Sequence, residues 1–274
     1  MDLSLNLEGT HVLITGGTGF IGSATVDALL AAGANVTSLD LRPPPPTTTA
    51  SSFSYISCDI SSEDALTKAF ALASEKHGPI ACCIALASLD LSVLHHHESL
   101  ADMVVEQWRR THKINVEGTF LTARTWLRQL REYSKVDQAK ELKNVSLIIV
   151  GSESGHFGER GNADYASGKS AVQGGFVRSL MGDVARIWPG ARVNAVAPGP
   201  VDTPQFKNEC AANPDQLWLD AQATVALKQP VPPESVAKSI LFLASENWSG
   251  SITGQILNVD SGKQGKVMWM QKEC

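Results

Sequence analysis

The sequence is poor in aromatic residues, 6% in all, and only three of its 274 residues are tyrosine. A tyrosine spaced against another chemically active side chain therefore stands out. Long apolar runs are also missing. The longest in the middle of the chain, Val145 to Val150, is broken by Ser146 and falls far short of the about 20 residues that a membrane span needs. The opening residues Met1-Asp2-Leu3-Ser4 are not basic followed by apolar, so no signal peptide is expected. There is no basic surplus: the net charge is −5 and the pI about 5.8, which argues against a nucleic-acid partner, and with no apolar run of spanning length no membrane partner is expected either. Five cysteines, Cys58, Cys82, Cys83, Cys210 and Cys274, follow no framework spacing, and a reduced, cytoplasmic setting is expected.

What the chain does have is alternation. Thr10–Thr15 reads as a short buried strand, then a glycine-rich turn, a helix over Ala24–Ala32 stopped by Gly33, and a strand over Ala34–Leu39 that ends at Asp40. The pattern repeats: strands at Phe53–Ser57, Ile80–Leu86, Val145–Val150, Arg192–Ala197 and Gln255–Val259; helices at Ser62–His77, Ala163–Ile187 and Pro233–Ser245, with two more across Leu100–Arg131. This predicts an α/β fold, a doubly wound parallel sheet covered by helices on both faces. No internal repeat or linker divides the chain, so one domain is expected over residues 1–274. Arg42–Ser52, with Pro43 to Pro46, cannot be helical and predicts an extended crossover loop. Tyr133–Lys143 predicts a solvated helix end and connection.

Gly16, Gly19 and Gly22 form G-x-x-G-x-x-G between a strand and a helix. Such a turn lets a backbone approach a pyrophosphate, with the positive end of the helix behind it. Glycines also cluster in plain turns. Asp40, 18 residues after Gly22, ends the next strand where a carboxylate would take the ribose 2′-OH of NAD and repel a 2′-phosphate. Arg42 softens that discrimination, so NAD is expected, with NADP as the alternative.

Tyr165 is followed four residues later by Lys169, which places both on one helical face. An ammonium there would stabilise a phenolate and lower its pKa, giving a general acid or base. An amphipathic surface pair is the plain alternative. Ser152, 13 residues before Tyr165, ends a strand where doubly wound sheets bind ligands, and Ser154 lies two residues on. Asn115 sits inside a helical stretch, where an inward hydrogen-bonding role or a buried structural amide is expected.

Together these residues resemble the short-chain dehydrogenase/reductase family, in its shorter branch, over Thr10 to Gly262. Thr15–Gly22 resembles the cofactor turn, including Gly16, Thr18, Gly19, Phe20, Ile21 and Gly22. Cys58-Asp59-Ile60 resembles the adenine-contacting motif. Asn115, Ser152, Tyr165 and Lys169 match the catalytic tetrad in identity, order and spacing. Ala197–Thr203, with Pro198, Gly199, Val201 and Thr203, resembles the segment that cradles the nicotinamide amide. Two features depart: Ala85-Leu86-Ala87-Ser88 stands where the family has Asn-Asn-Ala-Gly, and the glycine spacing is that of the longer, sugar-nucleotide-modifying branch.

The resemblance implies a Rossmann-type fold and hydride transfer between a nicotinamide cofactor and a secondary alcohol or ketone. In it Tyr165 handles the proton and also contacts the cofactor, Lys169 lowers the tyrosine pKa and holds the ribose, and Ser152 steadies the carbonyl oxygen. Asn115 positions a water, and Ala87 lines the cofactor. It also implies a cofactor half over about 8–150, a catalytic and substrate half over about 151–262, a tail over 263–274, and a homodimer or homotetramer.

Gln205–Gln229 corresponds to a mobile lid carrying Phe206 and Trp218; His156 and Phe157 approach the pocket, and a fairly large apolar or aromatic substrate is expected. Simple packing of the lid by Phe206 and Trp218 fits equally. The tail, with Met268, Trp269 and Met270, fits packing on a neighbouring subunit, local packing or disorder. His95-His96-His97 is expected to be a surface loop and no metal site. Three rival functions stay open: an NADPH-dependent carbonyl reductase, an isomerase or dehydratase using bound NAD without net redox, and a redox-silent cofactor-binding regulator.

Overall fold

Short runs of β-branched and apolar residues make seven parallel strands: β1 (His11–Thr15), β2 (Asn35–Asp40), β3 (Phe53–Ser57), β4 (Cys82–Ala85), β5 (Ser146–Val150), β6 (Arg192–Pro198) and β7 (Ile256–Val259). In this computed structural model, which describes residues 2–44, 50–135, 142–213 and 215–274, they form one sheet in the order β3-β2-β1-β4-β5-β6-β7. β1, β4, β5 and β6 are buried along their whole length, as strands covered on both faces must be. Alternate residues serve opposite faces. Val12, Ile14, Ile148 and Val196 pack with α1 (Phe20–Ala31) and α10 (Pro233–Ala244). Leu13, Leu147 and Val193 pack with α2 (Glu63–His77) and α4 (Thr119–Tyr133), around the fully buried Trp126.

The strand order reverses beside β1, so the carboxyl ends of β1, β4, β5 and β6 open a crevice at the sheet's switch point, where α/β proteins bind ligands.

Element boundaries moved where local chemistry competes with the periodic pattern. α1 starts at Phe20, four residues before the expected Ala24, because Gly22 lets the first turn lie against the Gly16 carbonyl. β4 is shorter than Ile80–Leu86 because the Leu86 N–H leaves the ladder to donate to the Thr15 hydroxyl (3.1 Å). After a short turn at Leu100–Asp102, the two helices expected before Arg131 run without a break, as α3 (Val105–His112), a π-helical turn (Lys113–Gly118) and α4. Ala163–Ile187 is continuous as expected, but as α6 (Ala163–Ser170), a second π-helical turn (Ala171–Phe176) and α7 (Val177–Ile187). Such turns recur at functional sites; Asn115 lies in the first, and Lys169 two residues before the second.

The described ends of the proline segment, Arg42–Pro44 and Ala50–Ser52, are not helical; Pro45, Pro46 and Thr47–Thr49 lie outside the described residues. Of the connection at Tyr133–Lys143, residues 136–141 also lie outside them. No helix among the described residues is long and apolar enough to cross a membrane.

Candidate active site

The glycine turn is a cradle that side chains would fill. Gly16 has φ +74°, and a Cβ there would lie 2.8 Å from the Ala87 Cα. A Cβ at Gly22 would run into the Gly16 carbonyl oxygen, and one at Gly17 into the Ser38 hydroxyl. The Gly19 N–H closes the turn onto the Gly16 carbonyl at 3.2 Å. The Thr18 hydroxyl is buried at the start of α1 with no hydrogen-bond partner among the described residues. An orphaned hydroxyl, a bare main-chain turn and a helix N-terminus together fit the pyrophosphate of a dinucleotide. Phe20 is exposed and Ile21 half-buried beside it.

Asp40, at the end of β2, accepts from the Thr18 N–H at 3.2 Å and the Arg42 N–H at 3.1 Å, one on each carboxylate oxygen. Each oxygen keeps lone-pair capacity for a sugar hydroxyl. Arg42 is exposed. Asp59 is exposed and accepts from the Ser61 N–H, while Ile60 is buried against Gly118. At the end of β6, Pro198 accepts from the Glu153 N–H at 2.8 Å. Gly199 lies so close to Asp260 that a Cβ would sit 2.8 Å from its Cα. Val201 bridges to Val231. The Thr203 hydroxyl caps α8 (Pro204–Ala212) by accepting from the Phe206 N–H at 3.1 Å.

The four tetrad residues are all buried: Asn115 inside the first π-helical turn, Ser152 just past the end of β5, Tyr165 and Lys169 one turn apart on α6. Ser152 accepts from the Ser154 N–H through its hydroxyl (3.1 Å), and its own N–H is held by the Gln173 side chain (2.8 Å). Burial pushes the Tyr165 phenol above its ordinary pKa. The nearby Ser152 hydroxyl opposes this, and the Asp90, Glu159 and Glu153 carboxylates add to it. This corrects the expectation of a phenol lowered by Lys169. The lysine ammonium stands 5.6 Å from the ring centroid and donates to the Val150 carbonyl (2.9 Å) and the Ser88 hydroxyl (3.2 Å). Burial pushes Lys169 itself down to about 8, opposed by Asp90. The Asn115 amide does not reach Lys169: it accepts from the Leu89 N–H (2.8 Å) and donates to the Leu89 carbonyl (2.9 Å).

On the substrate side, Ser154 is buried and donates to Glu159 at 2.9 Å. His156 and Phe157 are exposed on the short helix α5 (Ser154–Phe157). Phe206 is buried in the lid, and Trp218, on α9 (Gln216–Ala221), donates its indole N–H to the Trp269 carbonyl at 3.2 Å; both serve lid packing. The tail folds back on its own lid. Trp269 donates to the Val225 carbonyl at 3.1 Å, the Lys228 ammonium lies 4.1 Å over its ring, and the Met268 N–H meets the Ala223 carbonyl at 2.6 Å. Among the open readings of the tail, local packing is the one seen.

Several site residues escaped the sequence reading. Lys263 donates to the Asp220 carbonyl in the lid (3.0 Å) and pairs with Glu153, next to Ser152, at 3.2 Å. Burial pushes the Glu153 carboxyl up to about 7, against the pull of Lys263. Nothing local in the sequence links residues so far apart. Gln173 repeats the Tyr165–Lys169 spacing by one more turn, a signal that was available. The histidine run is only partly a surface loop: His95 and His96 are exposed, but His97 is buried with Nε2 3.0 Å from the Gln107 Oε1.

A family model described as enoyl-(acyl carrier protein) reductase matches residues 18–264. The chain is 28% identical to the 3-oxoacyl-[acyl-carrier-protein] reductase MabA of Mycobacterium tuberculosis over 251 residues, covering 92% of this chain and 91% of that protein. It is 32% identical to short-chain dehydrogenase reductase 3c of Arabidopsis thaliana over 265 residues, covering 94% and 95%. A short chain dehydrogenase from Leptospira borgpetersenii, solved with bound NAD+, has the same fold, with a TM-score of 0.79, 24% identity and coverage of 96% and 95%.

Proposed function

The chain belongs to the short-chain dehydrogenase/reductase family, nicotinamide-dependent oxidoreductases of alcohols and ketones, and from that premise we propose that it moves a hydride between NAD and a secondary alcohol or ketone of fairly large, apolar or aromatic build. The observation that carries this reading is the buried Tyr165–Lys169 pair beside Ser152, at the sheet end that also holds the glycine turn.

The bound nicotinamide supplies or accepts the hydride, as the cofactor's own chemistry. The turn from Gly16 to Gly22, with Thr18 and the start of α1, holds the pyrophosphate. Asp40 takes the adenosine ribose hydroxyls, Asp59 and Ile60 flank the adenine, and Pro198–Thr203 holds the nicotinamide amide. Lys169 holds the second ribose. Tyr165, kept protonated by burial, donates its proton to the carbonyl oxygen during reduction and takes it back during oxidation. The Ser152 hydroxyl donates to the same oxygen and stabilises its developing charge. The exposed Phe157, just after Ser152, supports the apolar substrate class.

Residues of about 8–150 then form the cofactor half and those of about 151–262 the catalytic and substrate half, with the tail strapped over the lid. Trp108 and Phe120 are 39% and 44% exposed along α3 and α4, which supports a homodimer or homotetramer; light scattering on the purified protein tests it. All five cysteines are free, which supports a cytoplasmic setting.

Thermal shift with NAD, NADH, NADP and NADPH tests the cofactor assignment. The unphosphorylated pair is expected to stabilise the protein more. Asp40→Ser should swing the NADPH-to-NADH preference by about tenfold, since one lost carboxylate–phosphate repulsion is worth on the order of 1.4 kcal/mol. Stabilisation by the phosphorylated pair alone overturns the assignment to NAD, and stabilisation by neither pair overturns the whole reading.

A further inference from the structure

Ser88 occupies a position whose main chain is clamped on both sides. The Ala87 N–H before it donates to the Thr15 hydroxyl at 3.2 Å. Leu89 after it is held at both its N–H and its carbonyl by the Asn115 side chain, at 2.8 and 2.9 Å. A residue pinned this way presents its side chain from a fixed point. The Ser88 hydroxyl is half-buried and accepts from the Lys169 ammonium at 3.2 Å.

An ammonium has three N–H donors. Lys169 spends one on the Val150 carbonyl at 2.9 Å and one on Ser88, and the tetrahedral arrangement leaves the third with a fixed direction. Without Ser88 the headgroup would be free to turn about the bond to its single main-chain partner. The Asn115 side chain spends its hydrogen bonds on Leu89, not on Lys169, and so fixes where Ser88 stands.

We propose that Ser88 is a positioning residue for Lys169, and that Asn115 acts on the lysine through Leu89 and Ser88. The inference rests on the reading that Lys169 holds the cofactor ribose. It assigns a purpose to the serine of Ala85-Leu86-Ala87-Ser88. It also bears on charge. Burial lowers the lysine pKa and Asp90 opposes that, while the Tyr165 ring lies 5.6 Å from the ammonium. The acceptor oxygen of Ser88 adds to the stabilisation of the ammonium form.

The test is the affinity for NADH, followed by tryptophan fluorescence between about pH 6 and pH 10, for the intact chain and for S88A, S88T and K169M. Thermal unfolding of each variant checks the fold. In the unaltered chain NADH affinity should fall as Lys169 loses its proton. S88A should move that fall about one pH unit lower, a tenfold change in proton affinity, and S88T should restore it.

An S88A profile that coincides with that of the unaltered chain overturns the proposal. So does a uniform loss of affinity with no pH shift, the signature of a merely structural serine, or an S88T variant that behaves like S88A. K169M separates the two levels. If it loses affinity and the pH dependence, the reading of Lys169 stands and any failure belongs to Ser88 alone. If K169M keeps the full profile, the reading and the proposal both fall.

Discussion

The two sides of the crevice are built from different materials. The cofactor side is main chain: a turn whose glycines abut the Gly16 carbonyl, Ala87 and Ser38, a helix N-terminus and one carboxylate at a strand end. The side that we assign to the substrate is side chain. Glu153, Glu159 and Asp220 gather around Lys263, while Trp218, Trp269 and Lys228 tie the lid to the tail. A main-chain site admits almost no substitution, because an added side chain meets the backbone of the turn. A side-chain site can be rebuilt for a new substrate without disturbing the sheet. Ser152, Tyr165 and Lys169, to which we assign the chemistry, lie between the two.

The difference can be broken most severely at Gly22. A Cβ there meets a carbonyl oxygen of the turn itself, which no rotamer change relieves. Gly22→Ala should weaken NADH binding by at least about 100-fold, the equivalent of the ~3 kcal/mol that overpacking costs. Fluorescence titration checks it, and unchanged affinity would show that the turn is not a tight cradle.

On the other side the expected effects are smaller and depend on pH. Folding raises Glu153 from 4.5 to about 7, so the folded state holds that proton more tightly than the unfolded one. The contribution to stability is present in full below about 4.5 and is lost as pH rises through about 7, by up to about 3 kcal/mol. Glu153→Gln should flatten that slope. Urea unfolding at about pH 5 and about pH 8 measures it, and an identical slope in the variant contradicts the assignment.

Smallest of these is Trp269→Ala, which removes one hydrogen bond and the stacked Lys228. It should cost about 1–2 kcal/mol, concentrated in the lid. Limited proteolysis should cut the lid faster in this variant; equal rates would mean that the tail does not hold the lid.

The same division explains what could be read from the sequence. The fold was legible because buried strands and amphipathic helices are local patterns, and Phe53–Ser57 and Ala163–Ile187 appear with the bounds that the pattern predicts. The cradle was legible because a close backbone approach demands glycine at particular steps. Both π-helical turns were not: the widening at Asn115 is coupled to a side-chain contact with Leu89, 26 residues away in sequence. Lys263 and Glu153 were not, because their pairing depends on the lid and the tail coming together. The phenol pKa was misjudged because spacing gives a neighbour but not its burial. Lys169 is one turn from Tyr165, yet its ammonium points to Ser88 and Val150, and desolvation decides the shift.

The central claim is that Tyr165 moves the proton while other residues hold the cofactor. Tyr165→Phe keeps the ring and removes only the hydroxyl. Steady-state turnover of the best substrate from an alcohol and ketone panel, with NADH affinity measured on the same preparation, tests the claim directly. The account predicts a fall in kcat of about 10² to 10⁴-fold, with NADH affinity within about twofold of the unaltered chain. Normal turnover by this variant would contradict it.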